Sequence, residues 1–315
     1  MPGAPEHFHR FGYRVLVING VLFAIPTEVV YKALCQTGLS LRNVEFVLFG
    51  LDGANNRPSI MSWSRHNPGQ HDLLLPYFST LEIERFATGF FEPVPWEQRQ
   101  PVAVWRGSAN GCRFAKDTWR HPRSCLQPGS HCDAGFLRAQ ARATPEGMAD
   151  MAAAGVYRDA LPFQAMSRYR YVLVIDGNSA TSRLGPLTFS DTNILKQASP
   201  ITEFFYDSLR PFVHYVPFSN TAADLLSVIE WVRNNDAVAR EIAANAYQWA
   251  VTHLTGRSVA DYVGTMLNAY GRLQRFEPTL TTDLAPWRVV PVGGFLPTWE
   301  ATADKGRCGG VRQAA

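Results

Sequence analysis

The sequence lacks the short motifs that mark common hydrolases, metalloenzymes and dinucleotide-binding proteins. It contains no G-x-S-x-G elbow, no H-E-x-x-H pair and no Cys-x-x-Cys pair among its five cysteines. A serine hydrolase or a zinc site therefore has no positive support. A G-x-G-x-x-G fingerprint, a Walker loop and a D-x-D carboxylate pair are also absent. We expect any bound diphosphate to be held by arginine and backbone amides rather than by a metal ion.

Long apolar runs and strong net charge are missing as well. No stretch approaches the roughly 20 apolar residues of a membrane-spanning helix, and residues 1–10 contain no apolar core of a secretory signal. We expect no transmembrane segment and leave the compartment open, cytoplasmic as the sequence stands and luminal if a leader is missing. The net charge of +3 and the lack of basic runs argue against a nucleic-acid partner.

Cysteines are few and odd in number, which limits the disulfides that can form. Cys112, Cys125 and Cys132 lie close together in the sequence, so that two of them can form one disulfide. Which two would pair, and whether they are oxidised, stays open because the compartment is open.

The hydrophobic patterns predict an α/β protein. With 315 residues, 46% of them hydrophobic, the chain has room for two domains. Residues 13–18 and 21–25 predict a hairpin around Asn19-Gly20, and residues 44–49 predict a strand covered on both faces. In the second half, helices alternate with strands predicted at residues 102–105, 169–175, 193–196 and 213–216. Such alternation predicts a parallel sheet that binds ligands beyond the carboxyl ends of its strands.

Composition also indicates where the domains divide. Residues 92–100 are rich in proline and charge, which is typical of a linker. We expect a shortened N-terminal α/β domain at residues 1–95 and a Rossmann-like domain at residues 96–276. Residues 277–315 are rich in Pro, Gly and Thr without a period, which predicts an irregular tail.

The loop after the strand at 169–175 carries residues suited to binding an anion. Small residues there allow close backbone approach, and Arg183 offers a charged fork for phosphate. The candidate binding residues of this loop are Gly177, Asn178, Ser179, Ala180, Thr181, Ser182 and Arg183. A plain strand-to-helix turn capped by a serine is the alternative, and the spacing alone favours it.

Two further positions carry candidate side chains at strand ends. Arg106-Gly107-Ser108 follows the strand at 102–105. Its arginine can bind the same diphosphate as the loop at 177–183, or it can pair with a surface carboxylate. Asp52 lies just past the strand at 44–49, where a carboxylate can take the proton from an attacking hydroxyl. A turn aspartate with an Asx hydrogen bond is the alternative for Asp52. Asp72 and Glu203 are weaker candidates for the base.

Three segments, taken in their order along the chain, resemble those of a known protein family. They are AVWRGSANG at residues 103–111, RYRYVLVIDGNSATSRLGPLTFSDTNILKQ at 168–197 and EFFYDSLRPFVHYVPF at 203–218. Together they resemble the capsule-associated, Rumi-type protein O-glucosyltransferases, glycosyltransferase family 90. The resemblance extends over residues 13–276 and is strongest from Trp105 onward.

This resemblance implies a GT-B-like fold, in which an acceptor-side domain and a donor-binding domain, both Rossmann-like, face each other across a cleft. It implies an inverting transfer of glucose or xylose from a UDP-sugar to a hydroxyl of a protein or polysaccharide acceptor, with no tightly bound cofactor and no metal. The segments 106–108 and 177–183 would bind the donor, and Asp52 would be the catalytic base. The residues that match the family's sugar and acceptor pocket are Arg65, Asp72, Pro76, Tyr77 and Thr80.

Two other function classes remain open. A catalytically degenerate module that only binds a nucleotide or a glycan fits the shortened first domain and the altered sequence around Asp52. A dinucleotide-dependent Rossmann enzyme is a third interpretation, and the missing G-x-G-x-x-G fingerprint opposes it.

Overall fold

The computed structural model describes residues 12–18, 21–23, 41–49, 60–66, 69–77, 83–87, 89–108, 129–137, 145–177 and 179–279. The chain divides into two compact units. The first comprises Met1–Glu82 together with Thr255–Ala315, and the second comprises Ile83–Leu254. No helix among the described residues is long and apolar enough to cross a membrane.

Strands and helices are numbered here in chain order within the described residues. The strands are β1 (Gly12–Ile18), β2 (Val21–Phe23), β3 (Val44–Phe49), β4 (Ile60–Ser62), β5 (Leu73–Leu74), β6 (Gln100–Gly107), β7 (Cys132–Phe136), β8 (Tyr169–Val174), β9 (Asn193–Gln197) and β10 (Val216–Phe218). The helices are α1 (Glu84–Ala87), α2 (Pro145–Ala153), α3 (Leu184–Leu187), α4 (Leu225–Asn234), α5 (Asp236–His253) and α6 (Gly256–Leu273). Short 3-10 turns occupy Trp96–Gln98, Phe163–Arg168, Thr188–Ser190 and Tyr206–Ser208.

The first unit contains a mixed sheet with the strand order β2-β1-β3-β4-β5. The predicted hairpin is confirmed, because β1 pairs antiparallel with β2 and places Leu16 opposite Phe23. β1 also pairs antiparallel with β3, whereas β3, β4 and β5 are parallel neighbours. The strand predicted at 44–49 is confirmed, but the expectation that both its faces are covered is wrong. Val44 and Phe46 are buried, while Glu45 between them is partly exposed.

Helix α6 belongs to the first unit, although it follows the second unit in sequence. The Arg42 N–H donates to Asn268 Oδ1 at 2.9 Å, and the Tyr262 hydroxyl donates to the Leu74 carbonyl at 2.7 Å. The apolar side chains of α6 at positions 259, 263 and 267 are buried. The compact units therefore divide the chain elsewhere than at the boundaries expected after residues 95 and 276.

The second unit contains a sheet with the strand order β10-β9-β8-β6-β7, in which the described pairs are parallel. The predicted α/β architecture with a parallel sheet is confirmed here. Residues 171–175 are buried throughout, as expected for a strand covered on both faces. Apolar side chains from the strands form the core together with the buried faces of α4 and α5, which contribute Leu225, Ile229, Val232, Ala239, Ile242 and Ala243.

The proline-rich segment expected as a linker is part of the second unit. Trp96 is 5% exposed, and its indole N–H donates to Asp236 Oδ2 at 3.0 Å. Asp236 also forms an ion pair with Arg170 at 2.9 Å. The Ser167 hydroxyl donates to the Glu92 carbonyl at 2.9 Å. The prediction of a linker is wrong. It was based on the proline and charge content of this segment, which does not indicate that one indole, that of Trp96, is buried and anchors the segment.

Replacing Trp96 with alanine should destabilise the second unit by about 3–5 kcal/mol, because the change removes a large buried ring and leaves a cavity. Urea unfolding followed by circular dichroism measures this loss. Trp231→Ala is the control, since Trp231 is 37% exposed, and it should cost about 1 kcal/mol or less. Equal losses in the two variants would contradict the anchoring role of Trp96.

Candidate functional site

The parallel sheet of the second unit sends several segments out from one edge. Strand β6 ends at Gly107, β8 at Val174, β9 at Gln197 and β10 at Phe218. Because these strands are parallel, the segments that follow them leave the carboxyl edge, where open α/β sheets bind ligands. Both strand ends singled out in the second half of the sequence lie on this edge.

The loop after β8 is closed by its own hydrogen bonds. Asp176 Oδ1 accepts from the Thr181 N–H at 2.9 Å, and the Gly177 N–H donates to the Ser179 carbonyl at 3.1 Å. A Cβ atom added to Gly177 meets no described atom within 4 Å. No described residue therefore fills the space beside the Gly177 backbone.

The other residues of this loop differ in exposure. Ser179 and Ala180 are buried, Thr181 is partly exposed and Ser182 is exposed. Asn178 lies outside the described residues. A short helix, α3, and the 3-10 turn Thr188–Ser190 follow this loop.

Arg183 lies at the end of the loop, directly before α3. Its guanidinium donates a hydrogen bond to the backbone carbonyl of Arg106, which ties the loop to the end of β6. Burial lowers the pKa of the Arg183 guanidinium from its ordinary value, yet an arginine stays charged in proteins. Within the described part of the chain this is its one hydrogen bond, so most of its N–H groups are available to a ligand.

The Arg106 side chain, in contrast, is used by the protein itself. Arg106 is 8% exposed, and its Nε donates to the Asp159 carbonyl at 2.9 Å. Nη1 donates to the carbonyls of Trp105 and Asp133 at 3.0 and 2.8 Å, and Nη2 pairs with Asp133 Oδ2 at 2.7 Å. These contacts occupy all but one of its N–H groups. The hydrogen bond between Arg183 and Arg106 therefore involves the backbone carbonyl of Arg106, while the Arg106 guanidinium joins β6 to β7.

Gly107 is required by the packing of its neighbour Trp105. A Cβ atom at position 107 would lie 2.2 Å from the indole ring of Trp105, far inside van der Waals contact. That indole packs edge to face on Phe136, with ring centroids 5.4 Å apart. Ser108 follows the strand and is partly exposed. In this structure the glycine of the W-R-G-S segment thus has a steric role of its own.

A cluster of buried ionisable side chains lies beside the loop, and it was not predicted from the sequence as a unit. Asp176, Lys196 and Glu203 are all buried. Lys196 Nζ is 4.8 Å from the centroid of the Tyr206 ring, and the Tyr206 hydroxyl donates to Glu203 Oε1 at 3.3 Å. The available sequence signals were a lysine directly after the apolar pair Ile194-Leu195 and a glutamate directly before the aromatic run 204–206.

Burial sets the protonation states of this cluster. It raises the pKa of the Glu203 carboxyl to about 8, and the charge of Asp176 adds to the effect. It lowers the pKa of the Lys196 ammonium, and it raises the pKa of the Tyr206 hydroxyl well above its ordinary value. Glu203 is therefore mostly protonated at neutral pH, and Asp176 is the carboxylate that faces the charge of Lys196.

The residues matched to a sugar and acceptor pocket lie in the first unit. Arg65 and Tyr77 each come three residues after the ends of β4 and β5, which are parallel neighbours. Pro76 and Tyr77 are buried, and the Tyr77 ring is 5.9 Å from that of Trp63. Asp72 is buried directly before β5, at the opposite end of that strand. The structure thus brings Arg65, Pro76 and Tyr77 to one edge and places Asp72 at the other.

Several other expectations concern residues that the structure does not describe. Asp52 and Thr80 lie outside the described residues, so their roles stay predictions. Cys132 in β7 is disulfide-bonded. Cys112 and Cys125 lie outside the described residues, so a pairing among these three cysteines stays a prediction. Where side chains are described, no group of three or more His, Cys, Asp or Glu is placed to hold a metal ion.

The parallel sheet and the loops on its carboxyl edge define an α/β protein with a candidate ligand site at that edge. Residues 57–288 match the family model described as Glycosyl transferase family 90. Because this match covers more than half of the 315 residues, the chain belongs to that family. The resemblance stated from the three sequence segments is confirmed.

Two curated relatives illustrate the similarity. Protein O-glucosyltransferase 2 of Danio rerio is 39% identical over 111 residues, which are 35% of this chain and 22% of that protein. O-glucosyltransferase rumi of Drosophila melanogaster is 27% identical over 191 residues, with 58% of this chain and 43% of that protein covered. The chain spans less than half the length of either relative.

One solved structure shows a weaker similarity. Pneumococcal O-GlcNAc transferase GtfA, in complex with UDP and GlcNAc, has a TM-score of 0.37 at 11% identity, over 55% of this chain and 37% of that one. A TM-score this low supports no statement about the present fold or site. The GT-B-like arrangement of two domains across a cleft therefore stays a prediction.

Glu203→Gln should remove a pH-dependent loss of stability. The folded-state pKa of about 8 exceeds the ordinary value of 4.5, so the folded chain binds more protons than the unfolded chain between those values. Its stability therefore falls as the pH rises through this window. Thermal unfolding from about pH 5 to pH 8 should show the wild-type melting temperature falling relative to that of the variant.

The exposed residue Glu230 in α4 offers a matched control for this experiment. Glu230→Gln makes the same chemical change without altering a buried acid, so its melting temperature should follow the wild type across the whole range. A Glu203→Gln profile that also runs parallel to the wild type would contradict the conclusion that Glu203 is held as a neutral acid.

Proposed function

We propose that this chain is an inverting glycosyltransferase that moves a sugar, glucose or xylose, from a UDP-sugar to a hydroxyl group of an acceptor. The observation that carries the proposal is Arg183, a half-buried guanidinium with most of its donors available at the carboxyl edge of a parallel sheet. Membership of glycosyltransferase family 90 supports the diphosphate of a sugar nucleotide as the anion that Arg183 binds. Both relatives described above are named O-glucosyltransferases, which supports glucose as the sugar.

Arg183 suits a diphosphate for electrostatic reasons. A guanidinium presents a planar fork that matches phosphate oxygens with two parallel hydrogen bonds. Its partner is a carbonyl rather than a carboxylate, so no described residue neutralises its charge. Partial burial strengthens its interaction with an anion by excluding water. No described atom lies within 4 Å of a Cβ added at Gly177, which is compatible with a close approach of the backbone to a ligand. These features support residues 177–183 as the segment that binds the donor diphosphate.

Arg106, Gly107 and Ser108 complete this proposed donor site from the end of β6. The Arg106 carbonyl accepts from Arg183 and so fixes where that cation lies. The Arg106 guanidinium pairs with Asp133, which leaves it little capacity for a ligand. We therefore assign Arg106 a positioning role and keep Gly107 and Ser108 as neighbours of the diphosphate.

The transfer is proposed as a single displacement with inversion at the anomeric carbon. Asp52 takes the proton from an acceptor hydroxyl while the hydroxyl oxygen forms its bond to that carbon. The bond from the carbon to the UDP oxygen breaks on the opposite face, and UDP leaves with the electron pair. Arg183 stabilises the negative charge that grows on the departing diphosphate.

The acceptor or sugar pocket is proposed to include Arg65, Pro76, Tyr77 and Thr80. Asp72, the fifth residue predicted for this pocket, lies at the opposite end of β5, so its place in the pocket rests on the family resemblance alone. Arg65 gives the strongest support, because its Nε atom is buried without a hydrogen-bond partner among the described residues. A buried donor that lacks a partner costs free energy, which an oxygen of a bound sugar or acceptor would relieve. A protein acceptor is favoured over a polysaccharide by the names of the relatives.

A nucleotide-binding module without turnover is the second candidate. It is favoured by the sequence around Asp52, where Leu51 and Gly53 flank the candidate base and depart from the family's pattern. Incubation with a panel of UDP-sugars, with released sugar and UDP quantified by mass spectrometry, separates the two functions. UDP binding without release of sugar from any donor would select the module.

Arg183→Ala should slow sugar transfer or donor hydrolysis by about 100- to 1000-fold, because removing one donor that stabilises transition-state charge costs about 2.7–4 kcal/mol. Rates are measured by mass spectrometry, and thermal unfolding verifies that the variant is folded. Arg240→Ala is the matched control, since it removes an exposed arginine that pairs with Glu97 at 2.7 Å. Wild-type turnover by Arg183→Ala would remove this residue from the site.

Asp52→Asn should retain UDP binding and lose transfer, because an asparagine amide cannot accept the proton of the attacking hydroxyl. Calorimetric titration with UDP measures the first property and the transfer assay measures the second. Asp207→Asn makes the same change at an exposed carboxylate and should leave both unchanged. If Asp52→Asn transfers sugar at the normal rate, the base is another residue, and Asp72 is the next to replace.

A further inference from the structure

Gln197 uses one buried side-chain amide to join two separate loops. It is the last residue of β9 and is 5% exposed. Its Oε1 accepts from the Asp176 N–H at 3.1 Å, and its Nε2 donates to the Asn220 carbonyl at 2.7 Å. The first bond holds the start of the loop after β8, and the second holds the turn after β10.

The topology explains why this side chain can reach both segments. Strand β9 lies between β8 and β10 in the sheet, with parallel pairing on each side. The segments after its two neighbours therefore leave the same edge, on either side of its last residue. The backbone bond from the Ala198 N–H to the Phe218 carbonyl, at 2.8 Å, keeps β9 and β10 paired up to that point.

The turn after β10 is itself well ordered by local hydrogen bonds. The Ser219 N–H donates to Asp224 Oδ1 at 2.8 Å, and the Ala223 N–H donates to Ser219 Oγ at 3.1 Å. The side chains of Asn220 and Thr221 are exposed. These bonds join the ends of the turn, and the bond from Gln197 to the Asn220 carbonyl connects the turn to the residue that also holds the loop after β8.

We propose that the turn at residues 219–224 is a second wall of the donor site, and that Gln197 is the positioning residue that sets its distance from the loop at 176–183. The ligand between them would be the nucleoside diphosphate of the donor, so this inference rests on the proposed function. An amide is needed because one atom must accept and the other must donate. A glutamate keeps the acceptor for Asp176 but turns a buried carboxylate oxygen towards the Asn220 carbonyl.

Gln197→Glu tests this role, and Asn193→Asp is its matched control. Asn193 lies at the first position of the same strand, is also buried, and its Nδ2 donates to the Ala239 carbonyl at 2.7 Å. Both variants convert a buried amide to an acid and lose one bond to a backbone carbonyl. They differ in place, since position 193 is roughly 13 Å further from the carboxyl edge along the strand.

Calorimetric titration of the full chain with UDP should give a Kd about tenfold higher for Gln197→Glu, as expected for one misplaced hydrogen-bonding wall. Asn193→Asp should lower the melting temperature to a similar extent and leave the Kd for UDP at the wild-type value. In transfer assays, Gln197→Glu should raise the KM for the donor with little change in kcat. Gln197→Met removes both hydrogen bonds without burying a charge and should weaken UDP at least as much.

The outcomes separate the inference from the proposed function. A wild-type Kd in Gln197→Met, or an equal loss of UDP affinity in Asn193→Asp, would overturn the positioning role, because the effect would then be absent or merely structural. If Gln197→Glu does not fold, the comparison of Gln197→Met with Asn193→Asp decides the matter. Wild-type protein without measurable affinity for UDP would instead overturn the proposed donor, and this inference with it.

Discussion

The second unit depends on the parallel pairing of β6, β8, β9 and β10, which brings their carboxyl ends to one edge of the sheet. Strand pairing fixes the strands but not the loops that follow them, whose conformations vary more. Hydrogen bonds from three side chains hold these loops in place. Arg183 bonds to the carbonyl of Arg106, Asp176 bonds to the Thr181 N–H, and Gln197 bonds on both sides. The candidate site therefore depends on hydrogen bonds that join segments following different strands, in addition to those within one loop.

The described ionisable side chains at this edge differ in how their charges are compensated. Arg106 pairs with Asp133 at 2.7 Å, Lys196 faces the carboxylate of Asp176, and burial keeps the proton on Glu203. Among these three cations, Arg183 is the one for which no described carboxylate is recorded as a partner. Uncompensated charges dominate a local electrostatic potential, so this residue is the basis for the proposed binding of a diphosphate.

Local features of this fold were predictable from the sequence, and the contacts that join distant segments were not. Apolar runs predicted β6, β8 and β9 and the two segments that carry the arginines. The strand predicted at 213–216 is wrong in position, since β10 begins only at Val216, and β7 was not predicted. The partners of Arg106 could not be predicted, because Asp133 and Asp159 lie 27 and 53 residues away and meet it only through tertiary packing. The same limit explains the linker expected at 92–100, whose Trp96 bonds to a carboxylate 140 residues later.

Trp105 and Gly107 have a consequence for how this sequence can diverge. The indole occupies the space in which any side chain at position 107 would begin, and the same indole fills the contact with Phe136. An alanine at position 107 would clash with the indole as long as Trp105 is present, and a smaller residue at position 105 would leave a void beside Phe136. Substitutions at positions 105 and 107 are therefore coupled during evolution, and Gly107 can change only once Trp105 has been replaced.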